Sequence, residues 1–177
     1  ERIPDDNYWI NKFQLIVKPE QSGKTFVMIK KIIKNLNENN NNNTINFIFC
    51  DNNLLLTNQT LHRIGSTNEL FNEYQDLDGN TYLEFSSHSR TKFKTQESVF
   101  HAIIVKKVRH IICCANFKRI DDIYNLIEEI NDNIAEQYYF KIWIDEVDKF
   151  ISYIDNTFND LMINQHNVNV VGLTATP

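Results

Sequence analysis

The chain has 177 residues, with 18 Lys and Arg against 23 Asp and Glu, and a formal net charge of −5. This length fits one domain, and 42% apolar with 23% charged residues excludes a disordered chain. Only 4 residues are Gly, which argues against a hairpin-rich all-β fold. The acidic balance argues against a protein that coats nucleic acid by bulk charge, but it leaves room for a local basic groove.

No apolar run reaches the roughly 18 residues that a membrane span requires, and no signal-peptide pattern opens the chain. The three cysteines are an odd number, and they form neither a CxxC motif nor a cluster with histidines. We therefore expect reduced thiols in an intracellular, reducing compartment. We also expect no structural metal and no membrane partner.

Strand and helix patterns alternate along the whole chain. In chain order they predict strand 13–17, helix 24–36, strand 45–50, helix 53–64, strand 81–85, helix 97–107, strand 110–114, helix 119–134, strand 140–144, helix 148–162 and strand 168–173. This alternation predicts an α/β fold with a mostly parallel sheet flanked by helices in three layers. In such folds ligands bind at the carboxyl ends of the strands.

The first motif lies between the first predicted strand and the first predicted helix, and it reads Gln21-Ser22-Gly23-Lys24-Thr25. Loop amides at a helix N-terminus bind phosphate, a Lys ammonium binds the β- and γ-phosphates, and a Thr hydroxyl binds Mg²⁺. Lys18 stands where the full phosphate-loop pattern has its first Gly. Taken alone, the segment is equally consistent with a helix that merely begins with Gly-Lys-Thr.

The second motif is Asp145-Glu146-Val147-Asp148, directly after the apolar strand 140–144. In this position Asp145 is suited to hold Mg²⁺, and Glu146 is suited to orient and deprotonate an attacking water. The alternative is a solvated helix N-terminus, where the helix dipole favours carboxylates.

The third motif, Gly172-Leu173-Thr174-Ala175-Thr176-Pro177, follows the last apolar strand. By itself it is also consistent with a polar turn. QSGKT, DEVD and TATP in this order resemble motifs I, II and III of superfamily 2 helicases. More narrowly, the chain resembles the first RecA-like lobe of the non-DEAD-box, DExD-type DNA helicases of large DNA viruses and phages. The similarity covers nearly the whole chain, from about residue 13 to residue 177.

The resemblance implies a P-loop NTPase lobe that uses ATP and Mg²⁺. The implied nucleotide-binding residues are Gln21, Ser22, Gly23, Lys24 and Thr25. Thr25 and Asp145 would hold the metal, and Glu146, with Lys24 and Asp145, would carry catalysis. The residues implied to couple the nucleotide state to movement between lobes are Asp148, Thr174 and Thr176.

The resemblance also implies two contacts to nucleic acid. Thr57 and Gln59 occupy the place of motif Ia, although the usual Pro-Thr opening is absent. Asn116, Lys118 and Arg119 occupy the place of motif Ib, where cations and amides contact phosphates. An ordinary basic loop before a helix is the alternative for the second group. DNA is favoured over RNA because the motifs depart from DEAD-box spelling.

The chain begins at Glu1 without Met and stops at Pro177. We therefore expect residues 1–177 to be one helicase ATP-binding domain cut from a longer two-lobe protein. The second lobe would supply an arginine finger, so the isolated lobe is expected to have little or no hydrolytic activity. The 25 Asn residues, with many Ile, Lys and Phe, suggest an A/T-rich genome and a viral protein, located in the infected-cell cytoplasm or in the virion.

Two other functions remain open at this point. A nucleotide or small-molecule kinase would share the phosphate loop, but it would have no reason to carry DEVD followed by TATP. A catalytically degenerate helicase lobe that only binds nucleic acid or protein is suggested by Lys18. The cations Lys106, Lys107 and Arg109 are interpreted as a solvated helix end.

Overall fold

The computed structural model describes residues 13–18, 27–28, 31–32, 43–50, 82–87, 91–150, 152 and 154–175. In this part of the chain the strands are β1 (Phe13–Val17), β2 (Thr44–Cys50), β3 (Tyr82–Phe85), β4 (His110–Cys114), β5 (Tyr139–Ile144) and β6 (Val168–Thr174). The α-helices are α1 (Gln96–Ile104), α2 (Phe117–Asn133) and α3 (Asn159–Asn164).

The six strands form one sheet in the order β1-β6-β5-β2-β4-β3, and every neighbouring pair is parallel. The predicted α/β fold is therefore confirmed, with an all-parallel sheet where a mostly parallel one was expected. The central strands are buried on both faces, which explains why they read as continuous apolar runs. Since all strands are parallel, their carboxyl ends lie along one edge.

One face of the sheet packs against α1 and α2. Phe47 and Phe49 of β2 point to this face and belong to its core. The stripe that α2 buries repeats at intervals of three and four residues, as an amphipathic helix requires, and its isoleucines are Ile120, Ile123, Ile127 and Ile130. This packing holds α2 firmly against the strands whose ends carry the motifs.

The residues that alternate with this core point to the opposite face, which is also buried. There the Trp143 Nε1–H donates a hydrogen bond of 2.9 Å to Asn46 Oδ1. The Asn46 amide lies 3.3 Å from His110 Nδ1, so one polar chain crosses β5, β2 and β4. Burial of the imidazole lowers the pKa of His110 to about 3, and the positive charge of Arg109 is the second cause of the shift.

Helical residues after β1 lie near this second face. Residues 27–28 and 31–32 are helical, and Met28 and Ile32 are buried. Burial lowers the pKa of Lys141 in β5, and the nearby ammonium of Lys31 lowers it further. These residues lie within the predicted helix 24–36, whereas the predicted helix 53–64 is outside the described residues.

The segment predicted as one helix over 148–162 is helical where the structure describes it, but it is not a single α-helix. The segment contains a 3₁₀-helix at Val147–Phe150, a π-helical turn at Ile154–Phe158 and then α3. A π-turn changes the helical phase of the residues that follow it. Phe158, the last residue of the π-helical turn, is buried, and its ring centroid lies 5.6 Å from that of Phe49 in β2.

No helix within the described residues is long and apolar enough to span a membrane.

Candidate nucleotide site

Backbone hydrogen bonds extend the sheet past the carboxyl ends of its strands. The Lys18 N–H donates to the Thr174 carbonyl at 2.9 Å, and the Asp145 N–H donates to the Phe49 carbonyl at 2.9 Å. Lys18 opens the segment that leads to the predicted phosphate loop, Thr174 belongs to the third motif and Asp145 to the second. The structure therefore brings the second and third motifs to one edge with the start of that segment.

Asp145 and Glu146 occupy a tight turn after β5. The Glu146 N–H donates to Asp145 Oδ1 at 3.0 Å, and the backbone of Glu146 has φ 53°. A left-handed conformation is unfavourable for a residue with a Cβ, at a cost of about 1 kcal/mol or more. Both side chains are half-buried. The turn thus holds two adjacent carboxylates at the strand end in a strained and defined geometry.

A side-chain hydrogen bond joins the second and third motifs. The Thr174 hydroxyl donates to Asp148 Oδ1 at 3.0 Å. Thr174 is buried at the end of β6, while Asp148 lies in the 3₁₀-helix after the Asp145–Glu146 turn. A shift of either segment must therefore strain or break this bond.

Gly172 in β6 lies against the side chain of Val147 in the 3₁₀-helix. This contact between the same two segments was not predicted from the sequence. A Cβ on Gly172 would lie 2.8 Å from Cγ2 of Val147 and 3.0 Å from its Cβ. Val147 is itself buried. Only a residue without a side chain fits at this position in β6, and the one available signal was a Gly in an otherwise apolar strand.

Several predicted site residues lie outside the described residues. They are Gln21, Ser22, Gly23, Lys24, Thr25, Thr57, Gln59 and Thr176. Their predicted roles stay predictions.

The Asn116 side chain caps α2. Its Oδ1 accepts a hydrogen bond of 3.0 Å from the Arg119 backbone N–H, and its own backbone is extended, as at a normal N-cap. The next residues are exposed, namely Phe117 and Lys118. The Ala115 N–H donates to the Cys50 carbonyl at 2.8 Å, so this turn lies beside the end of β2.

Arg119 does not face solvent, although the sequence predicted a phosphate contact for it. Its guanidinium carbon lies 4.3 Å from the centroid of the Phe85 ring, and Nη1 forms an ion pair of 3.1 Å with Asp122. Its side chain is only 4% exposed, because these two neighbours cover both the face and the end of the guanidinium. Of the two cations in this turn, Lys118 is the one that faces solvent.

A family model described as "Type III restriction enzyme, res subunit" matches residues 10–177, which include all three motifs and all six strands. The chain belongs to this family, ResIII. A ResIII domain is the N-terminal RecA-like lobe of a superfamily 2 helicase, a helicase-like ATP-binding domain, and the all-parallel sheet fits that lobe. No curated protein matches the chain significantly.

Among the described residues, Asp145 is a carboxylate at the strand end that could hold Mg²⁺. Mg²⁺ prefers oxygen ligands such as the carboxylate of Asp145, and phosphates are bound by a loop that follows a strand end. Among the described residues, no three His, Cys, Asp or Glu side chains cluster as metal ligands.

Proposed function

We propose that this ResIII lobe binds Mg-ATP and couples its hydrolysis to movement on, or unwinding of, DNA. The observation that carries the proposal is the meeting of Asp145, Glu146 and Thr174 at the sheet edge that Lys18 joins. A phosphate loop that begins at Lys18 would start at the same edge of the sheet as the two carboxylates, with the end of β6 between them. Fixed groups around a transferring phosphoryl group are the main requirement of this chemistry.

Each residue in the proposed site has one task. Lys24, with the amides of 21–25, would bind the phosphates, and Thr25 and Asp145 would hold Mg²⁺. Glu146 would accept the proton of the attacking water. The metal supplies neutralisation of the charge on the phosphates when it is bound. The Asp148–Thr174 bond, with Thr176, would transmit the nucleotide state to the rest of the protein.

We propose that Lys118 and Asn116, together with Thr57 and Gln59, contact the phosphates of the nucleic acid. The family match supports nucleic acid as a partner. We propose DNA over RNA, a viral or phage source, a reducing intracellular location, and a second lobe in the same protein that supplies an arginine finger. A kinase is disfavoured by the same family match.

The first test is titration of the chain with a fluorescent ATP analogue and Mg²⁺. Lys24→Ala should lose binding because it removes the ammonium that contacts the phosphates. Lys31→Ala is the matched control, since Lys31 is exposed on the following helical segment, and it should bind like the parent. Equal binding by the Lys24 and Lys31 variants would overturn the assignment of the phosphate loop.

The same titration also tests the alternative that the lobe is catalytically degenerate and only binds nucleic acid or protein. Lys18, in place of the first Gly of the loop pattern, is the feature that favours it. A parent chain that binds nucleic acid but no nucleotide, even when joined to a second lobe, would support that alternative.

A further inference from the structure

Four exposed lysines near the β3 edge of the sheet form a group that we call the lysine patch: Lys92, Lys94, Lys106 and Lys107. Residues 91–109 carry five cations and one carboxylate, a local charge of +4, in a chain whose net charge is −5. Within the described residues none of the four ammoniums makes an ion pair. A local excess of positive charge attracts anionic partners, most strongly at low ionic strength.

The tertiary structure assembles the patch from two separate segments. Phe93 bridges to Phe85 of β3, and the Ser86 N–H donates to the Phe93 carbonyl at 3.2 Å. Lys106, beyond the end of α1, places its Nζ 6.0 Å from the centroid of the Phe93 ring. The residues before α1 and those after it therefore share one surface.

The segment that carries Lys92 and Lys94 follows β3, and the turn that carries Lys118 follows β4, which is the neighbouring parallel strand. The Phe85 side chain, to which Phe93 is bridged, is covered by the guanidinium of Arg119. Arg119 directly follows Lys118 in the first turn of α2. A nucleic-acid strand that contacts Lys118 and runs from the end of β4 toward the end of β3 would meet the lysine patch next.

The backbone conformation of Lys107 is unusual for a lysine. Lys107 has φ 59°, a left-handed conformation that favours Gly or Asn at the end of a helix. Lys is not expected there on conformational grounds. Left-handed conformations of residues other than Gly cluster at functional sites.

We propose that the lysine patch binds the phosphodiester backbone of nucleic acid and extends the contact at Lys118 to the β3 edge. This inference rests on the proposed function, in which the lobe binds nucleic acid. The Phe93 ring is partly buried and packed against the core, so the contacts proposed here are those of the four exposed ammoniums. The contacts are therefore electrostatic and independent of base sequence.

The test is the salt dependence of binding of the 1–177 chain to labelled single-stranded oligonucleotides, between about 50 and 200 mM salt. Each lost phosphate contact should reduce the slope of log K against log salt by about 0.7. Replacement of Lys92, Lys94 and Lys106 together by Gln should reduce the slope by about 2, equally for two different base compositions. Lys31→Gln is the matched control and should leave the slope unchanged.

Lys107→Gly separates binding from folding. Gly relieves the left-handed strain, so the melting temperature should stay the same or rise, while the slope falls by about 0.7. Weaker binding in a protein that is no less stable excludes loss of folding as the cause.

Three results would overturn the patch. In the first, Lys118→Gln changes the slope and the patch variants do not; the proposed function then stands, and it is tested separately by nucleotide binding of Lys24→Ala. In the second, the parent chain binds no oligonucleotide. In the third, the patch variants lose binding to polyglutamate but keep oligonucleotide binding, which would indicate an acidic polypeptide as the partner.

Discussion

At the scale of single residues, His110 lies in the interior, and its neutral form is favoured by burial. The side chain is 2% exposed and its pKa is lowered to about 3, while an unfolded chain leaves His near 6.5. Between these values the unfolded state binds the extra proton, so stability increases with pH. The contribution of His110 is complete above about pH 6.5 and is lost as the pH falls toward 3.

We therefore expect acidification from pH 7 to pH 5 to lower the free energy of unfolding by about 2 kcal/mol through His110 alone. Urea unfolding at the two pH values measures this for the parent and for His110→Gln, which keeps a polar group for Asn46. The variant should lose about 2 kcal/mol less than the parent. His166→Gln, at an exposed position, is the control and should behave like the parent. An equal loss in all three proteins would contradict the prediction.

At the scale of elements, β6 and the 3₁₀-helix after β5 are held together by a contact and a hydrogen bond. Gly172 leaves the space that Val147 fills, and the Thr174 hydroxyl binds Asp148. Val147 and Asp148 are consecutive, so both interactions act on the same turn of helix. The carboxylates of Asp145 and Glu146 immediately before it depend on this support for their position.

Gly172→Ala should destabilise the protein by about 1–3 kcal/mol because the new methyl group overlaps Val147. In a Val147→Ala background the same substitution should cost much less, since the methyl groups that it meets are gone. The four proteins of this cycle measure the coupling energy directly by urea unfolding. Additive costs would show that the two side chains do not compete for one space.

At the scale of the whole molecule, the parallel sheet brings motifs that are far apart in sequence to one edge. Lys18 and Thr174 are 156 positions apart, yet their backbones share a hydrogen bond of 2.9 Å. The nucleotide site proposed here depends on this arrangement, and the proposed second lobe would complete it. A catalytic test of the site therefore belongs in a protein that carries both lobes.

In a protein with both lobes, Glu146→Gln should keep ATP binding and lower kcat by about 10²-fold or more, because it removes the general base. A steady-state phosphate-release assay and an ATP-analogue titration measure the two effects. Asp121→Asn, at an exposed carboxylate on α2, is the matched control and should retain turnover. Unchanged turnover in the Glu146 variant would rule out Glu146 as the base.

The sequence alone was sufficient to predict the strands and to locate the three motifs. Strands 13–17 and 110–114 were predicted with the bounds that the structure has, and the other predicted strands differ from it by one residue at an end. The central strands β2 and β4 are buried on both faces, so their apolar runs are continuous and easy to recognise. The motifs were also visible, because phosphate chemistry restricts residue type and spacing within a few positions.

Only the tertiary structure decided which of the candidate side chains are available. Arg119 and Lys118 are adjacent and equally basic in sequence, yet Phe85 and Asp122 cover one while the other is exposed. The predicted helix 148–162 likewise contains 3₁₀- and π-helical turns. Lysines from before and after α1 lie near the β3 edge of the sheet. Each of these outcomes depends on neighbours that are distant in sequence or on the opposite side of a helix, and local periodicity carries no information about such neighbours.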